Sequence, residues 1–294
     1  MVGCACVRKF ESEGYENLIK RTHAELDLRN SEAVKAFFRS EKPDYVILAA
    51  GKVGGIMANK KHCAEFLLEN LEIQNNVIQQ SFLNGVKKFC FLGSSCIYPC
   101  HAPQPIREEY LLTGPLEPTN EGYALAKISG YKLCLYLSSQ YGWSTISLMP
   151  CNLYGTNDTY DLANGHVFPS LVRRFTEAAQ KNREVEVLWG TGNPRREFLH
   201  VDDVANAVYF FMQTRTEADI INIGYGSDIT IRDLATKIAA AAGFQGEIKW
   251  DSSKPDGMYR KLLDSSRAHM LGWHPQISLD DGIRRTVNEY LAGA

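Results

Sequence analysis

Residues 88–99 read KFCFLGSSCIYP, and this stretch decides the fold class. Its first half, Lys88–Leu92, is short, apolar and rich in aromatic residues, which predicts a buried strand. Two hydroxyls and a thiol follow at once, on Ser94, Ser95 and Cys96. Ligands of parallel sheets bind at the carboxyl ends of the strands. The stretch therefore predicts a strand that delivers reactive side chains to a ligand site.

Outside this stretch, strand-like and helix-like segments alternate along the chain. That alternation predicts an α/β fold with a doubly wound, Rossmann-type parallel sheet and helices on both faces. Thr230 and Ser278 are candidate N-caps of the last two helices. The predicted strands are 44–51, 87–95, 144–155, 185–192, 219–226 and 246–251, and the predicted helices are 62–85, 120–142, 202–214, 230–242 and 278–292.

The regularity of this pattern falls after the middle of the chain, which suggests two domains. We expect residues 1–155 to form a dinucleotide-binding domain of the doubly wound kind. Residues 156–294 are expected to form mainly a smaller, substrate-binding domain. A segment at about 184–214 is expected to return to the first domain.

The beginning of the chain departs from the usual doubly wound order, in which a strand delivers a glycine-rich turn to a helix N-terminus. Here the segment 4–16, CACVRKFESEGYE, already has a helical pattern behind Met1-Val2-Gly3. We therefore expect a chain that is N-terminally truncated and lacks the first strand and most of the turn, with a strand near 17–21 beside the gap. Such a chain is expected to bind a dinucleotide weakly, because the N–H groups of the turn hold the pyrophosphate.

The composition argues against several classes of function. The chain has 294 residues, a formal net charge of -2 and no basic run, so neither nucleic acid nor an anionic membrane is the expected partner. Its apolar stretches are strand-sized, and its first residues are too polar for a signal peptide. The cysteines form no CxxC pair, which predicts free thiols in a reducing, cytoplasmic compartment and no metal site.

Tyr123 and Lys127 are four positions apart in a predicted helix, so both side chains lie on one face. A free phenol has a pKa of about 10 and exchanges protons slowly at neutral pH. A nearby ammonium is expected to lower that pKa, and a hydroxyl such as that of Ser94 can hold a carbonyl oxygen against the phenol. These residues would protonate a ketone oxygen while hydride arrives at carbon. The alternative is a surface helix with an ordinary tyrosine and lysine.

Six segments carry a resemblance to a known family: AGKVGGIMAN (50–59), LGSSCIYP (92–99), LEPTNEGYALAK (116–127), NGHVFPSLVRRF (164–175), WGTGNPRREFLHVDD (189–203) and SKPDGMYRKLLD (253–264). In this order they resemble the extended short-chain dehydrogenase/reductases. Within that family the chain is similar to the 3,5-epimerase-4-reductases of GDP-4-keto-6-deoxy-D-mannose. The resemblance implies NADP(H) as cofactor, a GDP-sugar as substrate and a homodimer.

The resemblance also implies two groups of catalytic residues. Ser94, Tyr123 and Lys127 match the reductase triad, whereas Cys96 and His166 match a pair that moves protons at C3 and C5 of the sugar. A thiol with a pKa of about 8.5 and an imidazole with a pKa of about 6.5 both exchange protons near neutrality. Inversion of a carbon beside a ketone needs one such group on each face. The alternatives are that Cys96 is a small buried apolar residue and that His166 caps the following helix.

Further contacts are implied by the same match. Arginines suit a diphosphate because they bind it through paired hydrogen bonds, and a tryptophan can stack on a base or a sugar. The alternatives for these residues are surface ion pairs and core packing. The implied cofactor contacts are Gly3, Leu92, Gly93, Ser94, Ser95, Lys127, Pro150, Asn152 and Leu153, and the implied substrate contacts are Arg174, Trp189, Arg196 and Asp256.

The chain departs from the family pattern in several places, one of them the loop 155–160, which reads GTNDTY where the family has G-P-H-D-N. Cys151 replaces a threonine, which removes a hydroxyl from a segment expected to contact the cofactor. Gly122 replaces a proline directly before the tyrosine. His23 stands where the family places an arginine near the adenosine 2′-phosphate, although Lys20 and Arg21 beside it still favour NADPH.

The expected function is the NADPH-dependent conversion of GDP-4-keto-6-deoxy-D-mannose to GDP-L-fucose, by 3,5-epimerisation and then 4-keto reduction. One alternative is another nucleotide-sugar epimerase or dehydratase of the same family. A dehydratase would be expected to carry an acid pair in place of Ser95-Cys96. A second alternative is a truncated, non-catalytic binding derivative.

Overall fold

The computed structural model describes residues 1–162, 165–214, 220–254 and 256–293. Asp219, where a strand was predicted to begin, lies outside these residues, as do Asn164 and Pro255 of the quoted segments. The helices are α1 (Val2–Ser12), α2 (Ser31–Glu41), α3 (Ile56–Lys61), α4 (Cys63–Leu83), α5 (Glu121–Tyr141), α6 (Val167–Gln180), α7 (Val201–Gln213), α8 (Ile231–Ala241), α9 (Ser266–Met270) and α10 (Leu279–Gly293). The strands are β1 (Tyr45–Leu48), β2 (Lys88–Leu92), β3 (Thr145–Pro150), β4 (Asn152–Tyr154), β5 (Val185–Trp189), β6 (Arg195–His200), β7 (Ile220–Ile223), β8 (Asp228–Thr230), β9 (Glu247–Asp251) and β10 (Arg260–Lys261).

Strands β1, β2, β3 and β7 form one parallel sheet in that order. Helices accompany it in two groups, because α4 packs on α5 and α2 while α1 packs on α7. Leu92 of β2 lies beside Leu148 of β3, and Pro150 lies beside Ile223 of β7. The carboxyl ends of three neighbouring strands therefore meet at one edge of the sheet. The predicted α/β fold with a parallel sheet is confirmed.

The remaining strands build smaller sheets. Strand β6 pairs with β4 and β10 in parallel and with β8 antiparallel, and β5 pairs with β9. Two apolar clusters fill the interior, one around the main sheet and one that includes Tyr154, Phe168, Phe175 and Leu234. The chain joins the second cluster after β3 and comes back to the first with α7 and β7. Where a domain boundary falls stays a prediction.

The stretch 144–155, predicted as a strand that runs into a loop, is two strands in different sheets. Strand β3 ends at Pro150, which has no backbone N–H to continue the hydrogen-bond ladder. The N–H of Cys151 donates to the carbonyl of Ile223 at 3.0 Å, and from Asn152 onward the chain pairs with β6. The predicted strand is therefore present as β3, whereas the predicted loop is wrong because it contains β4.

The strand expected near 17–21 is also wrong, because this segment has no regular structure. In the part of the chain that the structure describes, no strand pairs with it, so its backbone groups have no ladder to join. Conversely, α2 was not predicted although Asn30 marks its start, where the Asn30 side chain accepts a hydrogen bond from the N–H of Ala33 at 3.1 Å.

Candidate active site

The segment after β2 turns sharply at the edge where the strand ends meet. The N–H of Gly93 donates to the carbonyl of Leu148 at 2.9 Å, and a Cβ at Gly93 would collide with the side chain of Met149. A short 3-10 helix, Ser95–Ile97, follows. The N–H of Cys96 donates to the Oγ of Ser94 at 3.2 Å, which fixes the hydroxyl and the thiol side by side.

Helix α5 brings Tyr123 and Lys127 to the same place. Its first turn lies close to the start of α4, since a Cβ at Gly122 would stand 2.6 Å from the carbonyl oxygen of Cys63. The departure from proline to glycine at this position thus coincides with a close helix approach. Lys127 is buried and donates from Nζ to the carbonyl of Leu92 at 2.9 Å, and its ammonium lies 5.9 Å from the centre of the Tyr123 ring.

Burial controls the protonation of both side chains. It lowers the pKa of Lys127 to about 8. It also raises the pKa of the Tyr123 phenol, with a further rise from the nearby Cys96 that a hydrogen bond with Ser94 opposes. Burial is the largest cause and sets the direction of the shift, so the expected lowering of the Tyr123 pKa by Lys127 stays a prediction. The phenol is held protonated, which suits a proton donor.

Cys96 has two nitrogen donors around its sulfur. Asn120 donates from Nδ2 to Sγ at 3.4 Å, and Lys261 donates from Nζ to Sγ, also at 3.4 Å. Arg196 interacts electrostatically with the same thiol, and burial lowers the pKa of that arginine. Arg196 and Lys261 are register partners on β6 and β10. Cys96 is partly exposed, so the alternative that it is a buried apolar residue does not describe it.

His166 stands directly before α6 and is exposed to solvent. Its side chain makes no capping hydrogen bond, so the alternative role of a helix cap is wrong. Protein atoms around the ring lower its pKa, and the nearby Asp158 opposes that effect. The contacts given above join Ser94, Cys96, Tyr123 and Lys127, whereas a pairing of His166 with Cys96 stays a prediction.

The predicted cofactor contacts lie at neighbouring strand ends. Leu92, Gly93, Ser94 and Ser95 follow from β2, while Pro150, Asn152 and Leu153 follow from β3 into β4. Gly3 lies in the first turn of α1, where a Cβ would stand 3.8 Å from that of Ala49 after β1. Cys151 is buried, and its thiol lies 3.7 Å from the carbonyl of Asn152. The thiol that replaces the expected threonine hydroxyl is thus turned toward the backbone.

Two predicted substrate residues line a cavity of about 200 Å³ that Leu162 and Trp250 also line. Arg174 donates from Nε to Glu186 at 2.7 Å, and Trp189 is 63% exposed, with the Lys254 ammonium 6.0 Å from the centre of its ring. Asp256 does not line this cavity. Its two carboxylate oxygens accept hydrogen bonds from the backbone N–H and the hydroxyl of Thr191, at 2.9 and 2.6 Å. It holds the turn after β5, and its contact with substrate stays a prediction, as do those of Arg174, Trp189 and Arg196.

The family described as the NAD dependent epimerase/dehydratase family matches residues 1–224. The chain belongs to this family. It is 54% identical over 291 residues to "Putative GDP-L-fucose synthase 2" of Arabidopsis thaliana, covering 99% of this chain and 89% of that protein. It is 49% identical to "GDP-L-fucose synthase" of Escherichia coli, covering 99% and 94%. Among solved structures, "MlghC, GDP-mannoheptose C4 reductase from Campylobacter jejuni with NADP bound" has a TM-score of 0.91 at 40% identity, covering 99% of this chain and 95% of that one.

In this member of the epimerase/dehydratase family, sequence reasoning missed Asn120 and Lys261. Both lie inside quoted segments, but nothing in the sequence places Lys261 beside a cysteine 165 residues away. Across the described ranges, His, Cys, Asp and Glu form no group of three that could hold a metal ion. In the same residues, no helix combines the length and apolar character needed to cross a membrane.

Proposed function

We propose that this chain converts GDP-4-keto-6-deoxy-D-mannose to GDP-L-fucose with NADPH, by 3,5-epimerisation followed by 4-keto reduction. One observation carries the proposal: the Cys96 thiol and the Tyr123 phenol are electrostatic neighbours beside Ser94 at the end of β2, and burial keeps the phenol protonated. The thiol suits proton exchange at carbon, and the phenol suits protonation of oxygen. The names of the relatives, synthases of GDP-L-fucose and a GDP-sugar C4 reductase, support the same assignment.

In the epimerisation, Cys96 in its thiolate form removes a proton from the carbon beside the ketone. The electron pair of the broken C–H bond moves into an enolate, whose negative oxygen is held by the Ser94 hydroxyl and the Tyr123 phenol. His166 returns a proton to the opposite face of the carbon, which inverts it. The Cys96 thiol then releases its proton to water and His166 takes one up, after which the same sequence at the second carbon on the other side of the ketone completes the 3,5-epimerisation.

In the reduction, bound NADPH supplies a hydride to C4. Tyr123 gives its phenolic proton to the C4 oxygen, with Ser94 holding that oxygen in place. The residues present fit a dinucleotide, since the neighbouring strands β2 and β3 end at one edge of the sheet and Lys127 places a buried ammonium there. Lys127 would bind the ribose hydroxyls from this position, and Leu92 to Ser95 with Pro150 to Leu153 would line the rest of the site.

We further propose a homodimer formed through α4 and α5. These helices pack on each other, and each still exposes large apolar side chains. Leu68 on α4 is 57% exposed, and Leu125 and Tyr136 on α5 are 41% and 58% exposed. A second copy of the same two helices would cover this face. A cytoplasmic location is part of the same proposal, because all eight cysteines are free.

The test is to incubate the purified chain with GDP-4-keto-6-deoxy-D-mannose and NADPH and to determine the sugar configuration by NMR. We expect consumption of NADPH and a product inverted at C3 and C5. Reduction without inversion would point to another GDP-sugar reductase of the family. Binding of both ligands without turnover would identify a non-catalytic derivative, and either result would overturn the proposal.

A further inference from the structure

We propose that Lys261 is a positioning residue that holds Cys96 in its thiolate form, with Asn120 as a second donor. This inference rests on the function proposed above, in which Cys96 removes protons from carbon. It adds two residues that the chemistry of the site needs and that neither the reductase triad nor the Cys96–His166 pair contains.

The geometry places two N–H donors on one sulfur. Lys261 Nζ and Asn120 Nδ2 each lie 3.4 Å from Cys96 Sγ. A neutral thiol is a weak acceptor, whereas a thiolate carries a full charge and forms stronger, charge-assisted hydrogen bonds. Two donors, one of them an ammonium, therefore match the charged form better than the neutral form.

The other groups that face Cys96 act in the same direction or are neutral. Arg196, the register partner of Lys261, presents a second cation to the thiol. Tyr123 presents a phenol that burial keeps protonated. Lys261 also faces Cys151, where burial holds the pKa of that thiol well above its usual range. Cys96 thus interacts with two cations, Lys261 and Arg196, and with neutral hydrogen-bonding groups.

Asn120 has a further property that fits an active site. Its Oδ1 is buried and has no hydrogen-bond partner among the described residues. The amide therefore holds the sulfur with one end and leaves an acceptor for a ligand hydroxyl at the other. The residue follows directly on the turn before α5, two positions ahead of Gly122.

The reaction explains why a cation is useful at this place. When Cys96 takes a proton from carbon, an S–H bond forms as the C–H bond breaks, and the thiol must release that proton to water before it can act at the second carbon. Lys261 favours that loss, because its ammonium stabilises the thiolate again. Its removal should therefore slow proton exchange at both C3 and C5 and leave the reduction of C4 in place.

The first test measures Cys96 alone. The rate of its alkylation by iodoacetamide is followed by peptide mapping from about pH 6 to about pH 9, on both sides of the usual thiol pKa of about 8.5. Since the thiolate is the reactive form, Lys261→Met should slow Cys96 at neutral pH by about tenfold and move its rate profile to higher pH. Lys261→Arg should keep the parent profile, because it keeps the positive charge.

Two controls accompany this test. Lys87→Met removes an exposed lysine that pairs with Asp44 at 2.9 Å, and it should leave the Cys96 profile unchanged. Cys4, an exposed thiol on α1, is the internal reference in every sample. Should Lys261→Met lose its cooperative thermal melt, Lys261→Gln is measured instead, since it keeps a polar side chain without the charge. An unchanged Cys96 profile in a folded variant that lacks the charge overturns the inference.

The second test measures solvent deuterium entering C3 and C5 of the GDP-sugar. Lys261→Met should slow this exchange about tenfold. The same variant should still convert an already epimerised 4-keto sugar to the alcohol at the parent rate. Failure of the proposed function is recognised separately, because the parent would then show no exchange while the alkylation of Cys96 still depends on Lys261. Equal loss of exchange and reduction would instead show a merely structural role and overturn the inference.

Discussion

Ser94 lies beside two residues with different proposed roles: Cys96 acts on the carbons next to the carbonyl group, and Tyr123 acts on the carbonyl oxygen. The Ser94 Oγ accepts a hydrogen bond from the backbone N–H of Cys96 at 3.2 Å, and a hydrogen bond from Ser94 opposes the rise in the pKa of Tyr123. Ser94 therefore lies between a residue that works on carbon and a residue that works on oxygen. Substitutions on either side of Ser94 should separate the two half-reactions.

Cys96→Ser should abolish epimerisation and spare reduction. A hydroxyl is a far weaker acid than a thiol, so we expect deuterium exchange into C3 and C5 to fall by about 10²–10⁴-fold, the usual range for loss of a general acid or base. Exchange is followed by mass spectrometry of the GDP-sugar, with Cys4→Ser as the control. Undiminished exchange in the Cys96 variant would remove this residue from the mechanism.

Tyr123→Phe should show the reverse pattern. Without the phenolic proton, the C4 oxygen has no donor, and NADPH oxidation should slow by about 10²–10⁴-fold while exchange at C3 and C5 continues. Tyr136→Phe is the matched control, because Tyr136 is an exposed tyrosine on the same helix. A reduction rate close to that of the parent would contradict the role given to Tyr123.

Glu197 makes the stability of the fold depend on pH. Its carboxylate is fully buried and accepts N–H donors from Gly226 and Leu263 at 2.7 and 3.0 Å. Burial raises its pKa to about 7. Between the pKa of an unfolded glutamate, about 4.3, and that value, the native state binds more protons, so the free energy of unfolding should fall as the pH rises.

The comparison of parent and Glu197→Gln isolates this effect. From about pH 5 to about pH 7.5 the parent should lose up to about 3 kcal/mol relative to the variant, which has nothing to titrate at this position. Urea unfolding at several pH values measures the difference. A constant difference over that range would show that Glu197 does not titrate there.

The residues of the site differ in how far the sequence could predict them. Tyr123 and Lys127 could be predicted because helical spacing alone places them on one face. Cys96 could be predicted because it follows the end of a strand. The burial of the Tyr123 phenol could not be predicted from the sequence, since it depends on the segments that pack around the ring. The engagement of Asp256 by Thr191 was equally hidden, because it joins residues 65 positions apart.

At the scale of the element, long periodic segments were predictable and short ones were not. The helices at 62–85 and 120–142 match α4 and α5 closely, because each offers many turns of regular pattern. Strands β4, β8 and β10 are too short to show a period, and their pairing with β6 is decided by tertiary structure. The end of β3 at Pro150 is consistent with the sequence, because proline has no backbone N–H to continue the strand.

The end of α7 depends on one lysine of β2. Lys88 donates from Nζ to the carbonyls of Phe211 and Thr214 at 2.6 and 2.7 Å, and burial lowers the pKa of this lysine. Because the last carbonyls of a helix have no partners within it, Lys88→Met should destabilise the protein by about 1–3 kcal/mol. Chemical unfolding tests this, and equal effects of Lys88→Met and the exposed neighbour Lys87→Met would contradict it.

At the scale of the molecule, the apolar face of α4 and α5 predicts how copies associate. Leu68→Asp combined with Tyr136→Asp should convert a dimer to a monomer, because two buried carboxylates at the contact would be strongly unfavourable. Analytical ultracentrifugation measures the mass. Met270→Asp, at a side chain 80% exposed on α9, is the control and should leave the dimer intact. Unchanged mass in the double variant would place the contact elsewhere.

The order of strands in the main sheet has a consequence for synthesis on the ribosome. Strand β3 is made long before its partner β7, and the second apolar cluster is encoded largely between and after them. At usual translation rates, the about 70 residues that separate these strands take roughly 4 to 14 seconds to make. During that interval the nascent chain carries an open strand edge that can pair with a neighbouring polypeptide. The speed of decoding between codons 151 and 219 therefore sets how long each new molecule is exposed to this hazard.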